Sequence, residues 1–397
     1  MIPKPTHFLA ALLVAGFATS PRADEPTPGV PKEAVVADLP FLDWPEANRV
    51  ALNLAPEGAR PFRLMLDTGA SDSVLTPRYA HELGVSIRRA RDDRPYERET
   101  VLGRPLRFWV DTQSSESASR TGWEYGLLGG TFLADYVLEI DFHGRRVRFI
   151  DPDRFAVPKS VTDPNEAVLP VRVVGNRVVL EVLLEGKPVE VMLDTGAPIT
   201  MLLSGKSAKR ADFDRPVLAD MRAGGVLGST ESHLVEAEKL ELGPFAFGPA
   251  PLELAPKGFY NQGSSSDSLL GYEVLQHFTI RIDYPHKRLW LRRVDADPLG
   301  WEGSSWATVR RVGLLARVAD EGIQVAAVLP DSPAAKLGIR PGDSIEFHGD
   351  VARAKALEAT LGTIERGERI TVVRAEKEDE PPAQVELGGE KPVTPAK

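Results

Sequence analysis

The chain has 397 residues, a formal net charge of -9 at pH 7, 42% hydrophobic residues and no cysteine. That length calls for two or three domains. The negative balance excludes nucleic acid and anionic lipid surfaces as partners, since both demand a positive face, and the missing cysteine excludes disulfides, thiol nucleophiles and zinc–thiolate centres.

Residues 1–23 read as a signal peptide. Lys4 and His7 precede an apolar run from Phe8 to Ala18 that is too short to span a bilayer, and small residues follow. Ala18, Ser20 and Ala23 are the candidate exit positions, and a membrane anchor or N-terminal core helix is the alternative. The expected location is periplasmic or secreted, with no stable membrane insertion once the signal is removed.

Downstream the chain repeats itself. Residues 64–70 read Leu-Met-Leu-Asp-Thr-Gly-Ala and residues 191–197 read Val-Met-Leu-Asp-Thr-Gly-Ala, at an offset of 127. Leu127-Leu128-Gly129 through Val147-Arg148-Phe149 runs in register with Leu269-Leu270-Gly271 through Leu289-Trp290-Leu291, at an offset of 142. Asn48-Arg49-Val50 likewise matches Asn176-Arg177-Val178. Two copies predict a closed two-lobed body, with lobes over 35–155 and 165–295.

Each copy reads as strands. A short helix is predicted from Pro77 to Leu83, capped by Thr76 and stopped by Gly84. Val178–Leu184, a Glu185-Gly186 turn and Val189–Leu193 form a predicted hairpin leading into the second Asp-Thr-Gly. Ile280–Tyr284 and Arg288–Leu291 form another. After Asp295-Ala296-Asp297-Pro298 the pattern changes. A strand at Val325–Val328, a capped short helix, a turn and a strand near Ile345 are expected, then a helix at Arg353–Leu361 and strands near Ile370–Val373 and Gln384–Leu387. Glu376–Pro382 reads as a solvated hairpin tip and 389–397 as a disordered tail.

One Asp-Thr-Gly is ordinary turn chemistry, expected by chance in roughly one chain in ten of this size. Two copies, each after an apolar triplet and before Ala, point to chemistry. An apolar strand delivers each Asp to a buried turn, Gly lets a peptide approach closely, and Thr offers a hydroxyl to the opposite turn. Two facing carboxyls cannot both ionise, so the pair holds one proton. The ionised member then draws a proton from water while the protonated member polarises a peptide carbonyl. The pair titrates as a unit, so neither role is assigned to one Asp.

These motifs resemble the aspartic peptidases of the retroviral-pepsin type over roughly residues 35–295. The resemblance implies a mostly β, two-lobed, pseudo-twofold barrel fold acting as a monomer on peptide or protein substrates, without metal or other cofactor. It implies Asp67 and Asp194 as the catalytic pair, with Thr68, Gly69, Thr195 and Gly196 in support. Ala70, Ser71, Asp72, Ala197, Gly224 and Gly225 would contact substrate, and Leu128-Gly129 and Leu270-Gly271 would brace the turns. Such enzymes close a Gly-rich flap over the peptide. Ala223–Ser229 is the candidate in the second lobe and Thr100–Arg104 in the first. Ser71-Asp72 against Pro198-Ile199 predicts an asymmetric cleft.

Ser332-Pro333-Ala334 and Gly338-Ile339-Arg340-Pro341-Gly342-Asp343 resemble a PDZ domain of bacterial envelope proteases over about 306–388, a small α+β module. That resemblance implies a groove for a peptide C-terminus, with Gly313, Leu314 and Leu315 in the carboxylate loop; a PDZ fold that only packs against the lobes is the alternative. The seven His residues show no metal-ligand spacing. Arg88–Arg94 reads as a solvated loop, and Ser264-Ser265-Ser266 as a linker. A non-enzymatic envelope protein that binds peptides in the cleft and PDZ groove is the competing function.

Overall fold

The structure is a computed structural model, and it describes residues 29–42, 49–54, 61–85, 95–110, 126–225, 228–255, 268–294, 309, 312–319, 322–347, 368–373 and 383–387. The predicted signal peptide, the Arg88–Arg94 and Ser264–Ser266 segments, the Arg353–Leu361 helix, the Glu376–Pro382 tip and the C-terminal tail lie outside these residues.

The first unit runs β1 (Val35–Pro40), β2 (Ala51–Leu54), β3 (Phe62–Leu66), β4 (Ser73–Leu75), α1 (Pro77–Glu82), β5 (Tyr96–Val101), β6 (Arg104–Val110), β7 (Gly126–Leu128), α2 (Gly130–Leu133), β8 (Val137–Asp141) and β9 (Arg146–Ile150). The second begins with β10 (Glu166–Pro170), β11 (Arg172–Val174), β12 (Arg177–Leu184), β13 (Lys187–Leu193), β14 (Met201–Ser204) and α3 (Gly205–Arg210). It continues with β15 (Ala219–Gly225), β16 (Gly228–Ala237), β17 (Leu240–Leu242), β18 (Phe245–Phe247), β19 (Ala250–Ala255), β20 (Leu269–Leu270), α4 (Tyr272–Leu275), β21 (Phe278–Asp283) and β22 (Arg288–Arg293). Beyond them come β23 (Leu314–Ala319), β24 (Gly322–Val328), α5 (Pro333–Lys336), β25 (Ser344–Phe347), β26 (Glu368–Val373) and β27 (Ala383–Leu387). The fold is mostly β.

Local chemistry explains several elements. The β12–β13 turn holds Glu185 and Gly186 at φ of 50° and 78°, the left-handed pair that matches the twist of a two-residue hairpin. Pro77 starts α1 because its fixed φ suits a first helical turn. Thr76 occupies the N-cap of α1 in extended conformation but makes no capping bond, so the predicted position holds without its predicted contact. Ser332 does cap α5, accepting from the Ala335 N–H at 3.2 Å.

Each lobe builds its own sheet, ordered β2-β3-β7-β4-β6-β5 in the first and β15-β16-β19-β14-β20-β13-β12-β17-β18 in the second. A third sheet joins them, ordered β1-β9-β8-β21-β22-β10, and it reads the same from either end when lobe 1 strands are exchanged for their lobe 2 repeats. Its centre is the antiparallel β8–β21 pair. Val137 faces Asp283 and Asp141 faces Thr279, so the one facing pair that the repeat maps onto itself is Glu139 and Arg281, 142 residues apart. The pseudo-twofold axis therefore runs through a buried ion pair of 2.6 Å.

Each lobe also supplies its own neighbour to that pair. Arg148, opposite Glu139 on β9, donates to the second Glu139 oxygen at 2.5 Å. Its repeat equivalent is Trp290, opposite Arg281 on β22, whose ring lies 4.0 Å from the guanidinium carbon. The cation rests on an aromatic face in one lobe and the anion is neutralised in the other.

The apolar core is continuous across both lobes and takes in Val309. Leu315 and Leu329 of the C-terminal segment pack against it. Among the described residues no helix is long and apolar enough to cross a membrane.

Removing one partner of a buried ion pair strands the other, which typically costs about 3–5 kcal/mol. Glu139→Gln strands part of the charge of both Arg281 and Arg148 and is expected to lower the urea-unfolding free energy by that order. Glu82→Gln, which breaks the exposed Arg78–Glu82 contact, should change it by less than about 0.5 kcal/mol.

Candidate active site

Asp67 and Asp194 each stand one residue past a buried strand, because β3 and β13 end there against β7 and β20. The Asp67 N–H donates to the Leu128 carbonyl at 3.1 Å and the Asp194 N–H to the Leu270 carbonyl at 2.9 Å. The two Leu-Gly motifs thus hold the ends of the Asp-bearing strands, the bracing role that the sequence assigns them.

Both carboxyls are then cradled by their own turns. Asp67 Oδ1 accepts from the Gly69 and Ala70 N–H groups at 2.9 and 3.0 Å, and Asp194 Oδ1 accepts from Gly196 and Ala197 at 2.9 and 3.1 Å. The two carboxyl groups face each other closely enough that each acts on the other's ionisation.

Thr68 and Thr195 cross between the turns. The Thr68 hydroxyl donates to the Leu193 carbonyl at 2.9 Å and accepts from the Thr195 N–H at 3.0 Å. The Thr195 hydroxyl donates to the Leu66 carbonyl at 2.7 Å and accepts from the Thr68 N–H at 3.2 Å. Both threonines are fully buried, so these four bonds form away from competing water.

The glycines are required by proximity. A Cβ on Gly69 would sit 2.5 and 2.7 Å from the Asp194 oxygens, and one on Gly196 would sit 2.9 Å from both Asp67 oxygens. Each glycine is the surface on which the opposite carboxylate lies.

Burial raises the pKa of both acids above the ordinary carboxylate range. For Asp194 the negative charge of Asp67 adds to that rise, and the backbone donors oppose it. For Asp67 the Ala70 and Gly69 N–H groups, the Asp194 carboxyl and the Arg49 charge all pull the other way. The pair therefore keeps one proton into a range where isolated carboxyls are ionised.

Two neighbours escape a reading of the sequence alone. The β2–β3 register that pairs Ala51 with Met65 sets Arg49 across from Asp67. Arg49 was visible only as part of the Asn-Arg-Val repeat. Tyr284, just past β21, is buried, and its hydroxyl has no hydrogen-bond partner among the described residues. Burial and then the Asp67 charge push its ionisation upward. Its lobe 1 repeat is Phe142, so the sequence offers only a Tyr-for-Phe difference as a signal.

The lobes diverge just after the turns. Ala70 and Ala197 carbonyls play equivalent parts, accepting from Gly130 and Tyr272 N–H groups at 2.9 and 2.8 Å. The next equivalent acceptors are Ser71 for Thr131 and Ile199 for Glu273, and Val74 and Leu202 are the equivalent strand positions beyond them, so lobe 2 carries one extra residue between Ala197 and Leu202. Ser71 donates to Asp72 at 2.8 Å, which makes the lobe 1 rim polar where lobe 2 presents Ile199.

Gly224 and Gly225 lie on β15, paired with Ser229 and Gly228 in the hairpin to β16; the Val226-Leu227 tip is outside the described residues. The Thr100–Arg104 turn is a different object from a flap. β6 pairs in parallel with β4 as β19 does with β14, so the β5–β6 turn corresponds to the link between β16 and β19. The Tyr136 hydroxyl ties it down through the Leu102 carbonyl at 3.0 Å. Local turn chemistry, a Leu102-Gly103 pair with φ of 50° and 78°, marks a tight hairpin turn without telling which hairpin it closes, and this misled the sequence reading.

In the C-terminal segment Gly313 has a φ of 84° and packs its Cα against Ser332. Its N–H donates to the Val309 carbonyl at 2.6 Å, and its carbonyl accepts from Leu329 N–H at 2.8 Å. Leu314 is fully buried and Leu315 packs against the lobe core. β24 also lies against β15, the outer strand of the lobe 2 hairpin. Among the described residues no group of acids and histidines is arranged to hold a metal ion.

Replacing Thr68 or Thr195 by Val leaves buried backbone groups unpaired and should cost about 1–3 kcal/mol each in urea unfolding, with Ser at either position recovering most of the loss.

Residues 180–274 match the family described as aspartyl protease. A retropepsin-like aspartic protease from Rickettsia conorii is 19% identical over 34% of this chain and 97% of that one, with a TM-score of 0.26. EIAV protease complexed with the inhibitor HBY-793 is 23% identical over 25% of this chain and 86% of that one, with a TM-score of 0.21. No curated protein matches the chain. The segment from Leu180 to Val274, which contains Asp194 and its bracing Leu270-Gly271, is thus similar in sequence to the aspartyl proteases.

Proposed function

We propose that this chain is an aspartic endopeptidase, exported to the periplasm or beyond and active as a monomer. The observation that carries the reading is the carboxyl pair itself: Asp67 buried and Asp194 half-buried, each acting on the other's ionisation and each held by two backbone N–H groups of a matching turn. One shared proton divides the roles. The ionised carboxylate takes a proton from water as it attacks the peptide carbonyl, and the protonated carboxyl donates to the developing oxyanion. The amine leaves after receiving a proton from the pair, which returns to its starting state. The chemistry needs no residue outside the two turns, and the Thr68–Thr195 bonds keep the carboxyls in place.

The PDZ-like stretch 306–388 belongs to the same proposal as a peptide- or substrate-recognition module. β23 is an edge strand of its sheet, the kind of strand to which an extended peptide adds. The Gly313 N–H is already engaged, so a terminal carboxylate there would rely on other donors. The apolar contacts of Val309, Leu315 and Leu329 favour the second reading of the module, as a support for the lobes.

Asp67→Asn and Asp194→Asn should each lower kcat/KM on a diverse peptide mixture by on the order of 10³-fold or more. The parent's profile should be bell-shaped, losing activity in acid as the ionised member protonates and in base as the pair loses its last proton. Retained cleavage by either variant would sink the paired-carboxylate mechanism.

Stability should follow the same pair with the opposite sign to ordinary carboxylates. A folded pKa raised above the unfolded value favours folding below the unfolded pKa, and that advantage is lost as pH rises through the folded one. The thermal midpoint of the parent should therefore fall between mild acid and neutral pH, and Asp194→Asn should remove part of that fall and raise the midpoint at neutral pH by a few degrees.

A further inference from the structure

One row of facing residues crosses the lobe 2 sheet from the Asp194 strand outward. Met192 on β13 faces Leu269 on β20, Leu269 faces Leu202 on β14, Leu202 faces Glu253 on β19, and Glu253 faces Leu234 on β16. Directly facing residues share one side of a sheet. Met192, Leu202, Ala255 and Leu269 form an apolar cluster separate from the main core, and Ala197 and Ile199 of the Asp194 turn pack against it. The cluster therefore borders the carboxyl pair.

Two polar groups stand at the outer end of this row. Glu253 is half-buried and has no ion-pair partner among the described residues, and burial alone pushes its carboxyl up to about 7. Ser232, two positions before Leu234 on β16 and so on the same side, is fully buried, and its hydroxyl has no partner among the described residues.

Lobe 1 has the equivalent row without the acid. Met65 faces Leu127, Leu127 faces Val74, and Val74 faces Trp109, which takes the place of Glu253. Trp109 is exposed. The lobe 1 row thus ends on an aromatic ring where the lobe 2 row carries a carboxyl, with an unsatisfied hydroxyl on the same side of the sheet.

We propose that the lobe 2 end of the cleft selects a basic side chain of an extended peptide, its aliphatic stem on Leu202 and Ala255 and its charged tip at Glu253, with the Ser232 hydroxyl accepting a hydrogen bond. A cation supplies the charge that the carboxyl lacks and the donor that the hydroxyl lacks, and the apolar floor suits a lysine or arginine stem. The row places Glu253 three strands from Met192, about 14 Å at ~4.8 Å per strand, which an extended peptide at ~3.4 Å per residue covers in about four residues. The selected side chain lies within that distance of the cleaved bond. This inference rests on the reading of the cleft as a peptide site.

The test is a peptide series with lysine, norleucine or glutamate scanned through the four positions on each side of one cleavage site. The parent should prefer lysine over norleucine at one or more positions on a single side, by about tenfold in kcat/KM. Glu253→Gln should narrow that lysine-to-norleucine ratio about tenfold, and Glu253→Lys should turn it toward glutamate. An unchanged ratio in both variants overturns the inference while leaving the peptidase reading intact. If the parent cleaves nothing, the peptidase reading fails, and binding of the same fluorescent peptides to full-length Asp67→Asn protein, with and without Glu253→Gln, decides the subsite separately. A lysine preference lost with Glu253 supports it, and equal binding of lysine and norleucine peptides overturns it.

Discussion

The buried pair of Glu139 and Arg281 sits where the two halves of the molecule meet, and the rest of the arrangement depends on that meeting. It lies on the pseudo-twofold axis of the sheet that joins the lobes, with Arg148 and Trp290 in equivalent positions around it. A symmetric assembly of like lobes would put Glu139 against Glu139 or Arg281 against Arg281, each an uncompensated buried charge. Only one lobe of each kind satisfies both residues. The pair adds little as a simple source of stability, because burying two ions costs nearly what their attraction returns. Its effect is to favour one pairing of lobes over the alternatives.

That pairing brings the two turns together. Four threonine bonds cross between them, each ending on a backbone group of the opposite lobe, and each glycine is small because a carboxylate from the other lobe lies on it. The acids are thus held by parts of both lobes at once. Their raised pKa values follow from the same geometry, since the joint that removes water also brings two like charges together. A site assembled in this way does not exist in either lobe alone.

The two lobes share a plan and differ in its details. Lobe 2 has one more residue between its turn and the following strand, Ser71 and Asp72 give one rim polar character where Ile199 is apolar, and Trp109 and Glu253 occupy matching positions in the two lobes. Such differences leave the symmetric chemistry of the carboxyl pair untouched and bear on what the cleft accepts. The C-terminal sheet adds a further asymmetry, since β24 lies against the hairpin of lobe 2.

Much of this was legible in the sequence because it is carried by repetition and by local chemistry. The two Asp-Thr-Gly segments, the Leu-Gly braces, the β12–β13 turn at Glu185-Gly186 and the mostly β character all follow from short stretches whose residues act on their neighbours. What tertiary structure alone decided involves residues far apart in the chain. The Glu139–Arg281 axis depends on a strand register, the identity of the lobe 2 hairpin against the Leu102-Gly103 turn depends on which strands pair in parallel, and the setting of Arg49, Tyr284 and Glu253 depends on which side of a sheet each occupies. Register and facing are set by the packing of whole sheets, and a residue's own sequence context carries no record of its partner across them.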